Sequence, residues 1–322
     1  MSYRSFFLLS GLIALAACDD RTNPVEPRVI PAHAALAKGG NGGGGNGGGT
    51  IPAPTGRLYF SSDLQSPGNF DIYAVNPDGT GLVRLTTAAG DDFLGRAATT
   101  TGRVAFLSDR NAQRAIYTMN PDGSNQQSVY TLANGTLWEI ALSADGTRIA
   151  FTATISGQTD VWTIGTDGTG LTRVTNDAVA ERTPAWAPNG REILYTATVN
   201  GVDDIFALSV SRGTVTKLTN GNGAYGGAAY SPDGRDIVFS VARGSSYELY
   251  TMRSSGSNQT LVFESVSWNE VSPVYSPDGR YIAYLSYLGV NPPGLRYFAL
   301  GTTGQTGPVS GGPTIMSVSW GM

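Results

Sequence analysis

Three residue types are nearly missing from this chain. Of its 322 residues, one is histidine (His33), one is cysteine (Cys18) and two are lysine (Lys38 and Lys217). His33 and Cys18 both fall in the first fifty residues, so everything beyond Thr50 is without an imidazole or a thiol. For that part, Ser-His-Asp and Cys-His catalysis and zinc sites of the usual His/Cys type are excluded. No GxSxG elbow and no GxxxxGKS/T phosphate loop is present. Charged residues make up 14% of the chain, against about 25% in an ordinary soluble domain. Beyond Thr50 there are 17 basic and 22 acidic side chains. Phosphate binding needs a basic stripe that this balance does not provide, so nucleic acid is not an expected partner.

The first fifty residues look like an address and a tether. Arg4 supplies a positive start, and Phe6–Ala14 is an apolar run shorter than the roughly 20 residues of a transmembrane helix. That run leads to Leu15-Ala16-Ala17-Cys18, which resembles the bacterial lipobox. The resemblance implies a signal peptide over residues 1–17, cleaved before Cys18, with Cys18 then lipid-modified. Several acyl chains on one residue anchor a protein stably. Residues 18–55 would then be the anchor and a tether, rich in Pro, Ala, Gly and Asn and without hydrophobic periodicity; 9 of the 43 glycines lie in Gly39–Gly49. As a flexible coil the tether spans on the order of 33 Å. The expected location is the cell envelope, facing the periplasm or the cell surface.

The rest of the chain repeats. One set of glycines is Gly56, Gly102, Gly146, Gly190, Gly234 and Gly279, at intervals of 46, 44, 44, 44 and 45 residues. A second is Gly79, Gly123, Gly168, Gly213, Gly256 and Gly304. A fixed period in this range marks a repeat architecture. Many of these glycines close turns such as Ser-Pro-Asp-Gly (231–234, 276–279) or Asn-Pro-Asp-Gly (76–79, 120–123). There proline pre-sets one dihedral and glycine accepts a positive φ. Between the turns run short β-branched and aromatic segments, four per period. The predicted fold is all-β, a six-bladed β-propeller of four-stranded blades over residues 56–322. Little precedes Gly56 that could serve as an innermost strand. One strand, Ile315–Trp320, remains after the last repeat, so the carboxyl-terminal strand is expected to complete the amino-terminal blade.

The stretches Pro273–Tyr284, Asp71–Thr86 and Ala229–Phe239 share a pattern. It reads Pro-x-Trp/Tyr-Ser-Pro-Asp-Gly-Arg, then Asp-Ile-Tyr-x-x-Asn-Pro-Asp-Gly, then Leu-Thr, and resembles the TolB-type propeller repeat. The resemblance covers about Gly56–Met322. It implies the propeller fold strongly and the function weakly, because such propellers act as scaffolds, sensors and enzyme-associated domains. The amino-terminal α/β domain that TolB carries is not expected in this chain.

Binding residues in propellers favour the longer loops around the central channel, taken here as those opposite the tight glycine turns. Nine residues before each glycine of the first set stand Phe93, Leu137, Glu181, Tyr225 and Glu270, with Ile315 in the split blade. With their neighbours they suggest an aromatic and acidic mouth of Phe93, Trp138, Glu181, Arg182, Tyr225, Trp268 and Glu270. A second column, Asp71, Ala115, Asp160, Asp204, Glu248 and Leu295, opens the third strand of each blade. It is expected to accept turn or neighbouring-blade hydrogen bonds. No cofactor is expected; Asp63, Asn69 and Asp71 form the one candidate Ca²⁺ cluster. Aromatics two positions on, Tyr73, Tyr117, Trp162, Phe206, Tyr250 and Tyr297, are expected in the core between blades.

These residues point to a monomeric, non-catalytic envelope lipoprotein that binds a protein or peptide at the mouth. A first alternative is glycan binding or processing, with aromatic stacking and a Glu181–Glu270 carboxylate pair. The resemblance bears on this, since TolB-like polysaccharide lyases use histidine ligands and the propeller here has none. A second alternative is a sensory propeller within a larger envelope assembly, any catalytic partner being a separate chain.

Overall fold

The computed structural model describes residues 52–221, 223–244, 246–264, 269–287, 293–301, 305–309 and 314–322. Signal segment, Cys18, His33 and most of the tether lie outside the described residues, as do Trp268 and Gly304. Six antiparallel sheets of four strands each form a ring. Blade 1 joins Ile315–Gly321 to Arg57–Ser62, Asp71–Val75 and Val83–Arg84, and blade 2 runs Asp92–Ala97, Val104–Ser108, Ala115–Met119 and Gln127–Thr131. Blade 3 is Thr136–Leu142, Arg148–Ile155, Gln158–Gly165 and Thr172–Arg173. Blade 4 is Glu181–Trp186, Glu192–Val199, Val202–Ser209 and Val215–Lys217. Blade 5 is Tyr225–Tyr230, Asp236–Arg243, Ser246–Arg253 and Thr260–Phe263, and blade 6 is Asn269–Tyr275, Tyr281–Tyr287, Gly294–Ala299 and Gln305–Val309. The six-bladed, four-stranded propeller expected from the repeat is the fold.

Ring closure is as expected. Trp320 pairs with Leu58 just as Trp186 pairs with Ile193, Tyr230 with Ile237 and Tyr275 with Ile282. Trp320 is buried, its ring lies 6.2 Å from Tyr281 and 5.8 Å from Tyr297, and its Nε1–H donates to the Thr55 carbonyl at 2.9 Å. Gly56 enters the ring at φ +82°, where a Cβ would stand 2.2 Å from the Gly321 carbonyl oxygen. No other residue fits that close approach.

The repeat motifs are hydrogen-bond devices. In Ser231-Pro-Asp-Gly234 the glycine N–H donates to the Ser231 carbonyl at 2.8 Å, and the serine hydroxyl donates to Asp233 at 2.6 Å. The Leu-Thr pair that ends each pattern secures a fourth strand of only two or three residues. Leu85 N–H donates to the Ile72 carbonyl while the Thr86 hydroxyl accepts from Ile72 N–H at 2.9 Å; Leu218 and Thr219 do the same around Ile205.

Both faces of each blade are apolar, so the core is a set of seams between neighbours. One seam packs Leu58, Phe60 and Tyr73 of blade 1 on Tyr281, Ala283 and Leu285 of blade 6. Another packs Tyr59, Ile72 and Ala74 on Val104, Phe106 and Tyr117 of blade 2. The aromatic column runs through these seams with one exception. In blades 1 to 5 the aromatic pairs with the ring of the second strand, as Tyr73 with Phe60 and Phe206 with Tyr195. In blade 6 Arg296 stands opposite Tyr284, and Tyr297 pairs with Ala283. A one-residue offset turns a side chain to the other face, and Tyr297 duly packs in the seam toward blade 1.

Closure through Trp320 has a measurable consequence. Trp320→Ala is expected to lower the unfolding free energy by about 4 kcal/mol, whereas Val215→Ala on the exposed outer strand of blade 4 changes it by less than about 0.5 kcal/mol. Urea unfolding of the two variants checks this, and equal effects would mean the closing strand is not needed.

Candidate functional site

The innermost strands carry an irregularity at one common level. Register shifts fall between Phe93 and Arg96, Leu137 and Glu139, Arg182 and Ala185, Tyr225 and Ala228, and Val271 and Val274. The closing strand has one between Ser61 and Ser62 on its partner. A bulge leaves a residue unpaired and re-aims its neighbours. Here it leaves Arg96, Trp138, Glu139, Arg182, Thr183 and Ser272 half-buried on the inner wall. Thr183 and Ser272 adopt φ of +52° and +54°, which non-glycine residues avoid.

These wall residues are bonded to neighbouring strands and, at one point, to one another. The Thr183 N–H donates to the Glu139 carboxylate of the neighbouring blade, and Arg96 donates to the Val318 carbonyl at 3.2 Å. Arg182 pairs with Asp203 at 2.9 Å, and the Trp138 indole N–H donates to the Thr154 hydroxyl at 2.7 Å. Burial lifts the Glu139 carboxyl, while the Thr183 N–H and the Arg96 and Arg182 charges pull it back. Desolvation lowers the Arg96 guanidinium.

Of the seven residues expected at the mouth, Trp138 and Arg182 are half-buried at this wall, and Trp268 lies outside the described residues. Phe93, Glu181, Tyr225 and Glu270 are buried, as are Leu137 and Ile315. Their level is a packing layer. The Arg114 guanidinium covers the Phe93 ring at 4.3 Å, and Tyr225 stacks obliquely on Phe239 at 5.8 Å. Glu181 and Glu270 belong to blades 4 and 6 with blade 5 between them, and neither is exposed.

In two blades the structure lies one residue away from the glycine spacing. Gly102 sits one position later in its turn than Gly190 does, bonding back to Ala98 over four residues rather than three. The counterpart of Glu181 in blade 2 is therefore Asp92, which pairs with Ser108 as Glu181 pairs with Ala197. Likewise Gly294, not Leu295, begins the third-strand column in blade 6. The connections opposite the glycine turns are also not uniformly long. In blades 3 and 4 the second and third strands join through two residues, Ser156-Gly157 and Asn200-Gly201.

In blades 1, 3 and 4 the third-strand carboxylates are ion-paired within their own blade. Asp71 meets Arg84 at 2.6 Å, Asp160 meets Arg173 at 2.7 Å and Asp204 meets Lys217 at 2.7 Å. In the candidate Ca²⁺ cluster, Asp71 is committed to Arg84, Asn69 accepts from Gly90 N–H, and Asp63 accepts from Gly68 and Thr314 N–H groups. Among the described residues no three His, Cys, Asp or Glu side chains group together as metal ligands would.

Sequence reasoning passed over Arg96, Glu139, Thr183 and Ser272. The usable sign was proline: Thr183-Pro184 and Ser272-Pro273 place a residue without an N–H inside a strand, which sheets accept only at edges and bulges.

Residues 52–198 and 125–243 match the family described as the TolB beta propeller domain. Among solved structures, TolB from Acinetobacter baumannii is similar at TM-score 0.72 and 18% identity, over 82% of this chain and 66% of that one. A putative TolB from Agrobacterium tumefaciens reaches TM-score 0.64 at 18% identity, over 79% and 89%. Hydrazine synthase of Kuenenia stuttgartiensis reaches 0.63 at 15% identity, over 82% and 47%. At such identities the likeness is one of fold. No curated protein matches the chain in sequence.

The buried acids generate a pH prediction. Desolvation, then the Glu248 charge, pushes the Glu270 carboxyl from 4.5 up to about 9; neither of its oxygens has a hydrogen-bond partner among the described residues. Desolvation, then Asp177, pushes Glu181 up to about 8. With the folded value above the unfolded one, the fold holds a proton that the unfolded chain releases, so stability declines as pH rises from about 4.5 to 9. Glu270→Gln removes that dependence. Its stability relative to wild type is expected to rise with pH, by on the order of 3 kcal/mol between pH 4.5 and 7. Urea unfolding at pH 5, 7 and 9 tests this, and parallel profiles would show that Glu270 is ionised in the fold.

Proposed function

The chain belongs to the TolB β-propeller domain family, and on that footing we propose that it is a non-catalytic cell-envelope lipoprotein whose inner wall binds a protein or peptide segment. The observation that carries the reading is the wall of blades 3 and 4. There Trp138, Glu139, Arg182 and Thr183 stand side by side, half-buried, at bulged strand ends. An indole with opposite charges on neighbouring strands suits an extended peptide, whose groups alternate between apolar and hydrogen-bonding. The non-catalytic part rests on residue types: beyond Thr50 there is no histidine or cysteine, and the two carboxylates that could have formed a glycosidase-like pair are buried on blades 4 and 6.

Attachment through Cys18 completes the proposal. Residues Pro52–Gly56 dock at the glycine-turn end of the ring, where the Tyr281 hydroxyl donates to the Pro52 carbonyl. Trp138 and Arg182 begin their strands at the opposite end. A chain held by its amino-terminal segment thus carries the proposed wall at the end away from its attachment.

Two measurements check the proposal. Cross-linking the full chain in envelope extract, followed by mass spectrometry, is expected to identify a protein partner. Trp138→Ala with Arg182→Ala is expected to reduce its recovery at least tenfold, about 1.4 kcal/mol of binding; undiminished recovery would remove this wall as the site. Cys18→Ser is expected to move the protein from the membrane to the soluble fraction and abolish fatty-acid labelling. Retention of label would place the lipid elsewhere.

A further inference from the structure

Thr183 and Ser272 occupy the same place in blades 4 and 6. Each stands three positions before the inner-strand aromatic that lies opposite Ile193 or Ile282, and each precedes a proline. Each falls in a register gap, at φ of +52° and +54°. In blade 4 both polar groups of this residue are bonded. The Thr183 N–H donates to the Glu139 carboxylate of blade 3, and its hydroxyl bonds with the Thr196 hydroxyl at 2.9 Å. In blade 6 neither partner is repeated. Gly227 of blade 5 stands where Glu139 stands in blade 3, three positions before the inner-strand residue opposite Ile237 or Ile149. Leu285 stands where Thr196 does, opposite the residue before. Among the described residues no side chain bonds to the Ser272 N–H or to its hydroxyl.

Nothing in the fold requires a glycine at 227. Its φ is not in the positive region, and a Cβ there would meet Ser272 Cα at 3.5 Å and Ser272 N at 4.0 Å, ordinary contacts. Gly226 differs, since a Cβ on it would stand 2.3 Å from Ser240 Oγ. A side chain at 227 would therefore lie beside the Ser272 N–H, as that of Glu139 lies beside the Thr183 N–H, and the chain has left this place bare. The place is not closed off, because Gly227 and Ser272 are both only half-buried on the inner wall. Glu270 is the one acid on the inner strands Tyr225–Tyr230 and Asn269–Tyr275, and desolvation pushes its carboxyl up to about 9. At neutral pH no ionised carboxylate of these two strands repels an arriving anion.

We propose that an acidic side chain of the bound segment places its carboxylate at Gly227, accepting from the Ser272 N–H and hydroxyl as Glu139 accepts from the Thr183 N–H. Two donors without acceptors favour an anion, because a hydrogen bond to a charged acceptor is roughly twice as strong as one to a neutral acceptor. The proposal rests on the reading of the inner wall as a peptide site and names the group by which that peptide is anchored. Blade 3 supplies its own carboxylate to blade 4; blade 5 leaves the partner to supply one to blade 6.

The experiment is a nuclear magnetic resonance titration of the full chain labelled with ¹⁵N at serine, the Ser272 amide peak being assigned with Ser272→Ala. The probes are the blocked peptides acetyl-Ser-Glu-Ser-amide and acetyl-Ser-Gln-Ser-amide, and acetyl-Ser-Ser-Ser with a free terminal carboxylate. The glutamate peptide is expected to shift the Ser272 peak with a dissociation constant on the order of 1 mM, and the glutamine peptide to bind roughly tenfold more weakly. Gly227→Glu, which supplies the carboxylate from the protein itself, is expected to abolish the glutamate peptide's shift and to raise the melting temperature by about 2 °C. No shift at Ser272, equal shifts by the glutamate and glutamine peptides, or unaltered binding in Gly227→Glu would overturn the proposal. Tighter binding of acetyl-Ser-Ser-Ser would assign the place to a chain end and overturn the side-chain source. Partner recovery that falls in Trp138→Ala with Arg182→Ala but not in Gly227→Glu would leave the inner-wall reading standing without this anchor. A glutamate-dependent shift at Ser272 with undiminished recovery in that double variant would keep the anchor and remove the blade 3 and 4 wall.

Discussion

A sheet of four short strands with two apolar faces cannot stand alone in water, and this is the constraint from which the molecule follows. Each blade can bury one face on the blade before it and the other on the blade after it, and a row of such blades leaves two apolar faces uncovered at its ends. Bending the row into a ring removes both. The last strand, Ile315–Gly321, holds the ring shut by pairing with Arg57–Ser62, so the final seam is sealed by backbone hydrogen bonds as well as by Trp320 packed on Tyr281 and Tyr297. In blades 1 and 4 the outer strand can then be very short, because the Leu-Thr pair satisfies the third strand's backbone: the leucine N–H donates to its carbonyl and the threonine hydroxyl accepts from its N–H.

That same constraint explains what could be read in the sequence. Turns that recur every 44 residues or so must be closed by residues tolerating positive φ, so the glycines mark them and the period emerges. Faces that must be apolar on both sides put β-branched and aromatic residues in every strand, so the strand count emerges too. What the repeat could not supply is register to a single residue. Gly102 occupies a later position in its turn, and this was enough to hide Asp92 as the counterpart of Glu181. In blade 6 an offset of one exchanged Tyr297 for Arg296. Because strand side chains alternate, an error of one inverts the inference about which face a residue serves.

The innermost strands show why the candidate site was only partly legible. They crowd around the axis, and each absorbs the crowding as a local break in pairing. Where a break falls decides which side chains reach the wall, and alternation alone does not locate it. Trp138 and Arg182 lie at breaks and are half-exposed; Glu181, one position before Arg182, is buried. Thr183-Pro184 and Ser272-Pro273 carried the information, since a proline inside a strand is tolerated at a bulge and few other places.

The acids of the two columns then separate by the company they keep. Third-strand carboxylates in blades 1, 3 and 4 lie next to a cation from the adjoining fourth strand, and their charge is neutralised inside one blade. Innermost-strand carboxylates lie deeper, beyond easy reach of a fourth strand. Asp92 still finds Arg110 at 2.9 Å, but Glu181 has a threonine hydroxyl, and Glu270 has no hydrogen-bond partner among the described residues. An unpaired buried carboxyl answers by staying protonated, which is why burial heads the causes that raise both glutamates. Holding them in the packing layer leaves the wall's charge to Arg96, Glu139 and Arg182, which face one another across neighbouring blades. With Arg182 paired to Asp203, the charges left facing one another are Arg96 and Glu139, and the wall is polar yet nearly balanced.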